Sequence, residues 1–454
     1  MRRAFALAVA CVATWATPAA AHPVLVRSIP AAQDTLRTVP AQFHLVFNKP
    51  LLARLTTVEL QMPGGETVRL RTDSGATRSE LMLADLPALP SGAYQLVWQV
   101  AGDDGHPVRG SLKFVVDLPK QIDSVPAMPG TAAVHHPTDL FPPSPSLEDE
   151  SSFHVLSPEY IAVRWVTFLA MLTLIGTVIF RTLVWPRLPE WRAAILPRLR
   201  TLGLGAAVLL LVSAMARLWA QAAATAMQGE SITLDLITAL LLYSPWGIGW
   251  WLQVGGALVV AVALLRRADA ATRWWIAAAG TLLAVIAMPL SGHAAAVEGL
   301  GPLPLAADAL HVIGAGGWLG TLLALLVAGV PATRTLAAGN RTDALATLVN
   351  AYSPVALSAA ALVAITGVFA AWQHIGSIDA LWAGGYARVL LIKLGVLALV
   401  VGTGAYNWRV VRPALSRGSA DAPIARSAGF ELAIGAIVIA VTAVLVATPP
   451  AMMP

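Results

Sequence analysis

Three residues near the start of the chain have the types and spacing of a metal site: His22, Asp104 and His106. Residues 1–21 read as a secretory signal peptide, with Arg2 and Arg3 at its head, an apolar stretch over Phe5–Trp15 and the small residues Ala19-Ala20-Ala21 before the cut. Cleavage after Ala21 makes His22 the first residue, and its α-amine and ring nitrogen can then chelate one ion together. Pro23 has no amide N–H, which excludes binding modes that deprotonate the second backbone amide. Asp104 and His106 flank Gly105 in a polar turn, so a carboxylate and an imidazole can face the same ion. Three nitrogens and one oxygen form a tetragonal donor set, the preference of Cu(II). The alternative is a ligand-free polar turn and a first histidine that arose by chance. The one cysteine, Cys11, lies in the leader, leaving no thiolate to the mature chain.

A second group of chemistry-bearing residues lies inside apolar sequence. His293 ends one hydrophobic stretch, Asp308 and His311 stand three apart near the start of the next, and His374 closes another. The helix period puts Asp308 and His311 on one face. A short loop, 294–303, joins their helix to the one ending at His293, so these three are expected to meet near the outer surface, with His374 on the same side. Histidines placed simply at the membrane interface are the alternative. Lys393 and Glu431 are charges within hydrophobic segments, costly unless paired or functional. They read as an intramembrane pair or gate, or as ordinary packing partners.

The elements that must position these residues are of two kinds. Over 22–117 the pattern alternates as in strands: Phe43, Leu45 and Phe47 point one way, His44 and Asn48 the other. Thr57–Met62 and Thr67–Arg71 flank the turn Pro63-Gly64-Gly65, and Ala93–Val100 and Ser111–Val116 flank the Asp104 turn. This predicts a small all-β sandwich. Residues 118–157 are proline-rich and read as a semi-extended linker, on which His135, His136 and His154 are solvated. The remainder, 158–454, is expected to be all-α. Hydrophobic residues make up 57% of the whole chain and charged residues 12%, with a mean hydropathy of +0.69, more apolar side chain than a soluble core absorbs.

Eight stretches are long enough to span a bilayer: 159–184, 200–223, 245–266, 273–293, 304–330, 346–373, 386–409 and 427–448. Ser231–Tyr243 is shorter and reads as interfacial or re-entrant. Arginines crowd the loops after the first, third, fifth and seventh spans, whereas Glu230, Asp235, Glu298 and Asp379 mark the others. The positive-inside rule puts the first set in the cytoplasm, and the N-terminal domain and C-terminus outside. The basic surplus thus reports topology in a multi-pass protein of the cytoplasmic membrane, not nucleic-acid binding. No Gly-x-x-x-x-Gly-Lys-Ser/Thr loop is present, so transport is expected to be facilitated or coupled to a gradient or redox step.

His22-Pro-Val-Leu, Pro40-Ala-Gln-Phe-His-Leu-Val-Phe-Asn and Trp98-Gln-Val-Ala-Gly-Asp-Asp-Gly-His-Pro-Val-Arg-Gly110 resemble the CopC family of periplasmic copper-binding β-sandwiches, with a cupredoxin/Ig-like fold. That resemblance implies His22, Asp104 and His106 as Cu(II) ligands. Only Met62 and Met82 stand in this part, which implies that the Met-rich Cu(I) site of some members is missing. Ser291-Gly292-His293-Ala294, Asp308-Ala-Leu-His311 with Gly317-Trp318-Leu-Gly320, and Tyr386 through Lys393, Asn407-Trp-Arg409 and Glu431 resemble the CopD family, associated with copper uptake. The implied protein is a non-enzymatic CopC–CopD fusion that binds copper outside the membrane and imports it, contributing to copper homeostasis or resistance. Its partners would be copper ions, the lipid bilayer and other periplasmic copper carriers. Competing readings are a haem-bearing membrane oxidoreductase using His293, His311 and His374 as axial ligands, and a membrane-anchored copper buffer or sensor.

Overall fold

The computed structural model describes residues 23–74, 77–102, 107–119, 154–226, 231–265, 270–291, 302–375, 379–382, 384–416 and 422–448. Two units are present. The first combines the β-rich region with 222–244, and the second contains 155–221 and 245–454.

Among the described residues of the first unit, eight strands follow in chain order: β1 (Leu25–Ile29), β2 (Thr35–Leu36), β3 (Phe43–Phe47), β4 (Thr57–Gln61), β5 (Thr67–Ser74), β6 (Glu80–Ala84), β7 (Gly92–Ala101) and β8 (Pro107–Val116). Their spatial order is β1-β3-β6-β5-β4-β7-β8-β2. The first half of β5 pairs with β4 and its second half with β6, so one strand passes between the two layers of a sandwich. The alternating residues Phe43, Leu45 and Phe47 are all buried, as are Val58, Leu60, Leu96 and Leu112, and they form the core. Tyr94 stacks on Phe114 with centroids 5.3 Å apart. Its hydroxyl donates to the Pro90 carbonyl at 2.6 Å, which satisfies the one polar atom of a buried ring.

Trp98 lies directly across from Gly110 in the β7–β8 ladder. A Cβ at Gly110 would fall 2.5 Å from the indole, so only glycine leaves room for the tryptophan there. Gly110→Val is expected to destabilise this sandwich by about 1–3 kcal/mol through overpacking. Faster hydrogen exchange of the β7 and β8 amides in the intact protein would show it, and unchanged protection would contradict it.

The segment expected to be interfacial or re-entrant forms α3 (Leu234–Tyr243), capped by the Thr233 hydroxyl, which accepts from the Leu236 N–H at 3.2 Å. Its apolar side, Leu236, Ala239 and Leu240, packs against Leu52, Leu55 and Ala101, and Arg54 lies over the Tyr243 ring at 4.2 Å. Arg109 Nη2 donates to the Ala226 carbonyl at 2.7 Å and its Nε to Gln99 Oε1 at 2.6 Å. Gln99 Nε2 in turn donates to the Thr225 carbonyl. Burial pulls the Arg109 guanidinium below the usual arginine value.

The second unit is helical. Among the described residues, eight helices are long and apolar enough to cross a membrane: α1 (Pro158–Arg187), α2 (Trp191–Thr225), α4 (Pro245–Leu265), α5 (Ala271–Leu290), α6 (Leu303–Thr333), α7 (Gly339–Ile375), α8 (Gly384–Ala414) and α9 (Ile424–Leu445). On α2 the outward residues Val208, Val212, Met215 and Trp219 are large, apolar and exposed at helical spacing, a surface suited to lipid. Short connections make successive helices run in opposite directions. One end of the bundle therefore holds the starts of α6 and α8 and the finish of α7. Helices α1 and α6 touch backbone to backbone: a Cβ on Gly176 would fall 1.9 Å from the Gly320 carbonyl carbon. The helical register of α6 is interrupted by π turns at Gly316–Gly320 and Leu325–Gly329, and that of α8 by one at Asn407–Val411.

Candidate copper sites

His22, Asp104 and His106 lie outside the described residues, but the backbone on either side of them is placed. Pro23 is buried. The Val24 N–H donates to Asn48 Oδ1 at 2.7 Å, and the Asn48 N–H returns a bond to the Val24 carbonyl at 3.0 Å. At the other flank, Gly102 bridges Leu51 and the Leu52 N–H donates to the Ala101 carbonyl at 2.9 Å. The chain resumes at Pro107, paired with Ala101. Asn48 and Leu51 are three residues apart, a span of at most about 11 Å. The residue after Pro23 and the residue before the Asp104 turn are thus fastened to one short segment. His44 is engaged elsewhere, with Nδ1 3.3 Å from Glu80 Oε1.

In the helical unit His293 also lies outside the described residues, whereas Asp308, His311 and His374 are all placed. His374, in the last turn of α7, directs Nδ1 to the Ala370 carbonyl at 2.8 Å. A carbonyl only accepts, so Nδ1 carries the proton and Nε2 keeps its lone pair. Its ring stacks on Tyr386 of α8, 5.7 Å between centroids and 14° from parallel. On α6, His311 Nδ1 is 2.9 Å from Thr366 Oγ1. The Thr366 hydroxyl is 2.7 Å from the Leu362 carbonyl and 3.3 Å from that of Val363, and with its hydrogen on either carbonyl it accepts from His311 Nδ1. Such bonds set the tautomer and aim the ring of a metal-binding histidine. Asp308, one turn nearer the start of α6 than His311, lies within electrostatic reach of both His374 and Lys393.

These groups do not converge on one point: among the described residues no three His, Cys, Asp or Glu side chains are grouped to hold an ion. They are arranged by depth. His374 is at the mouth, Asp308 about 8 Å and His311 about 12 Å along α6 from Leu303 by helical rise.

The expected pairing of Lys393 with Glu431 does not form. Lys393 lies near the level of His311 and its electrostatic partner is Asp308, while Glu431 accepts from Trp318 Nε1 at 3.0 Å and Asn407 Nδ2 at 2.8 Å. Asn407 is 14 residues beyond Lys393 on α8, about 21 Å along the axis, so the two charges occupy opposite halves of the bundle. The Thr366-Gly367 pair is among the residues that resemble CopD, but the contact of Thr366 with His311 is not legible from its type or spacing, since a lone threonine in an apolar helix is usual.

Residues 25–117 match the CopC domain, 155–303 the N-terminal domain of copper resistance protein D-like proteins, and 346–445 copper resistance protein D. The copper transport protein CutJ of Bacillus subtilis (strain 168) is 25% identical over 438 residues, covering 94% of this chain and 74% of its own. Copper resistance protein C of Xanthomonas campestris pv. juglandis is 38% identical over 104 residues, 21% of this chain and 80% of that protein. The crystal structure of CopC from Methylosinus trichosporium OB3b aligns with 28% identity over 22% of this chain and 99% of its own, with a TM-score of 0.21. The strand sandwich coincides with the CopC match, and the helices other than α6 fall wholly or largely within the two copper resistance protein D matches; the chain belongs to the CopC–CopD copper resistance and transport family, with both parts in one polypeptide.

Proposed function

We propose that this protein captures Cu(II) outside the cytoplasmic membrane and delivers copper inward through its helical unit. His22, through its amine and ring, with Asp104 and His106 form the capture site. His374, Asp308 and His311 receive copper in that order from the end of the bundle that holds His374, with His293 as a further ligand there. The observation that carries the reading is the pair of histidines, His374 on α7 and His311 on α6, whose Nδ1 atoms both meet protein oxygens, with Nε2 as the nitrogen offered to a metal. Lys393 beside Asp308 acts as a tethered cation that an arriving copper ion displaces, which keeps the carboxylate balanced when the path is empty. Copper is cargo in this scheme, and no catalysed transformation is assigned.

The linker keeps capture and entry on one molecule, raising the effective copper concentration at the membrane. Radiocopper accumulation by cells expressing the wild type against a variant lacking residues 22–117 tests the division of labour. Accumulation should fall severalfold at limiting copper and recover at high copper, and equal uptake at limiting copper would refute it.

Asn48 is expected to matter although it binds no metal. Asn48→Ala leaves the Val24 N–H without its side-chain acceptor and loosens the start of the chain. Cu(II) affinity should drop about 10-fold, the lower end of the range for outer-sphere partners, while the sandwich stays folded. Competition titration against a copper chelator measures this, and an unchanged affinity would disprove the positioning role.

A further inference from the structure

A cavity of about 320 Å³ lies among α6, α7, α8 and α9, far along the bundle from the histidines. Leu322, Leu325, Val349 and Ala356 give it apolar walls, and Glu431, Asn407 and Tyr352 supply oxygen atoms. Glu431 is 3% exposed. Each of its oxygens accepts one bond from a neutral donor, Trp318 Nε1 or Asn407 Nδ2, and among the described residues no lysine or arginine pairs with it. Other polar groups facing the cavity are the Tyr352 hydroxyl, donating to the Trp318 carbonyl at 3.3 Å, and Arg409 and Arg412. The Arg412 Nε is directed to Asn350 Oδ1 at 2.7 Å. Asn407 Oδ1 is buried with no donor.

Two independent features mark this place. First, a buried carboxyl group and a buried orphan acceptor lie side by side, and among the described residues neither is bonded to a cationic side chain, although Arg409 and Arg412 line the same cavity. Second, both residues that grip Glu431, Trp318 and Asn407, lie in π turns. A π turn costs helix regularity, re-aims one side chain and is concentrated at functional positions.

We propose that Glu431, Asn407 and the cavity beside them form a binding site for a small hard monovalent cation, a proton or Na⁺, whose movement is coupled to that of copper. The donors are all oxygen, which suits a hydrated proton or Na⁺ and not Cu(I), whose preferences are for sulfur and nitrogen. For the proton, the balance is that hydronium in the cavity gives H⁺ to a Glu431 carboxylate oxygen, yielding the neutral acid and one water, and the water donates to Asn407 Oδ1. For Na⁺, the carboxylate and Asn407 Oδ1 are ligands to the same ion. The coupling rests on the transport reading above, whereas the site stands apart from it and is tested without copper.

Infrared difference spectra of the full-length purified protein, taken between two pH values and between two NaCl concentrations, give the first measurement. A buried carboxyl band should respond to one of these changes, identifying the cation, and vanish in Glu431→Gln. It should also shift in Asn407→Leu, which retains the carboxylate. The second measurement is copper uptake into proteoliposomes with an imposed pH or Na⁺ gradient. Wild type should respond severalfold to the gradient of the cation identified, and Glu431→Gln should lose that response. A carboxyl band that survives in Glu431→Gln, or one in the wild type that answers to neither pH nor Na⁺, overturns the site. A response to the gradient that survives in Glu431→Gln overturns the coupling. If the band behaves as expected but no gradient moves copper in the wild type, the coupling and the transport reading fail while the cation site remains.

Discussion

Acetylating the α-amine of His22 should weaken Cu(II) binding by more than about 100-fold, beyond the 10–100-fold cost of losing an outer-sphere partner. The amide nitrogen that results has no available lone pair, which ends the chelate between amine and ring without supplying a new amine. The His22 ring, Asp104 and His106 would be left as three separate donors. The effect should be close to that of His22→Ala, and the two should not add, because both dismantle the same chelate. Isothermal titration of the free and acetylated proteins decides it, with equal affinities excluding the N-terminal chelate. The same chemistry sets the pH response. Free imidazole and α-amine titrate near about 6.5 and 7.8, and both must lose a proton to bind copper. Affinity should therefore fall steadily as pH drops through that range, with protons released on binding.

His311→Ala should reduce copper accumulation at least about 10-fold, with Cu(II) capture by the N-terminal unit unchanged, and His374→Ala should act in the same direction. The more informative variant is Thr366→Val, which keeps the imidazole and the volume but removes the oxygen that accepts its Nδ1 proton. Freed from that bond, the ring samples the tautomer in which Nε2 is protonated and unable to take a metal. Transport should fall by about 10-fold, within the range for outer-sphere partners, and Thr366→Ser should restore it. If Thr366→Val and His311→Ala insert stably and accumulate copper at the wild-type rate, the path does not run along this face.

The sandwich was legible where burial alternates strictly. Phe43, Leu45 and Phe47 lie in β3 and face the core, and the Pro63-Gly64-Gly65 turn joins β4 to β5. The edge strands β1 and β2 were not, because Leu25–Ile29 has no buried alternation and Thr35–Leu36 is defined only by its partner β8. β6 was also missed, although Leu81 and Leu83 alternate. All eight long helices announced themselves by apolar length. The fate of Leu234–Tyr243 could not be read the same way, since an apolar ten-residue helix is suited equally to lipid or protein, and only packing against Leu55 and Ala101 decides.

Depth along a helix was legible, and it already opposed the Lys393–Glu431 pair, since Lys393 follows the start of α8 and Glu431 the start of the oppositely directed α9. What no pattern reveals is a π turn. The residues of Gly316–Gly320 and Asn407–Val411 look like ordinary helix, yet these turns aim Trp318 and Asn407 at the same carboxylate.

The bonds from Gln99 and Arg109 to the carbonyls of Thr225 and Ala226 join residues 126 and 117 positions apart. During synthesis the strand residues leave the ribosome long before the segment they hold. At about 5–20 residues per second, Gln99 waits several seconds or more for residues 222–244 to emerge. Until then Leu52, Leu55 and Ala101 are an uncovered apolar patch, and the side chains of Gln99 and Arg109 have no carbonyls to hold. Biogenesis of this protein therefore has a built-in interval of vulnerability, in which a strand sandwich with an open flank is a substrate for holding chaperones and proteases. Pausing of translation between the codons for residues 120 and 220 should lengthen that interval and lower the yield, although no residue of the finished protein has changed.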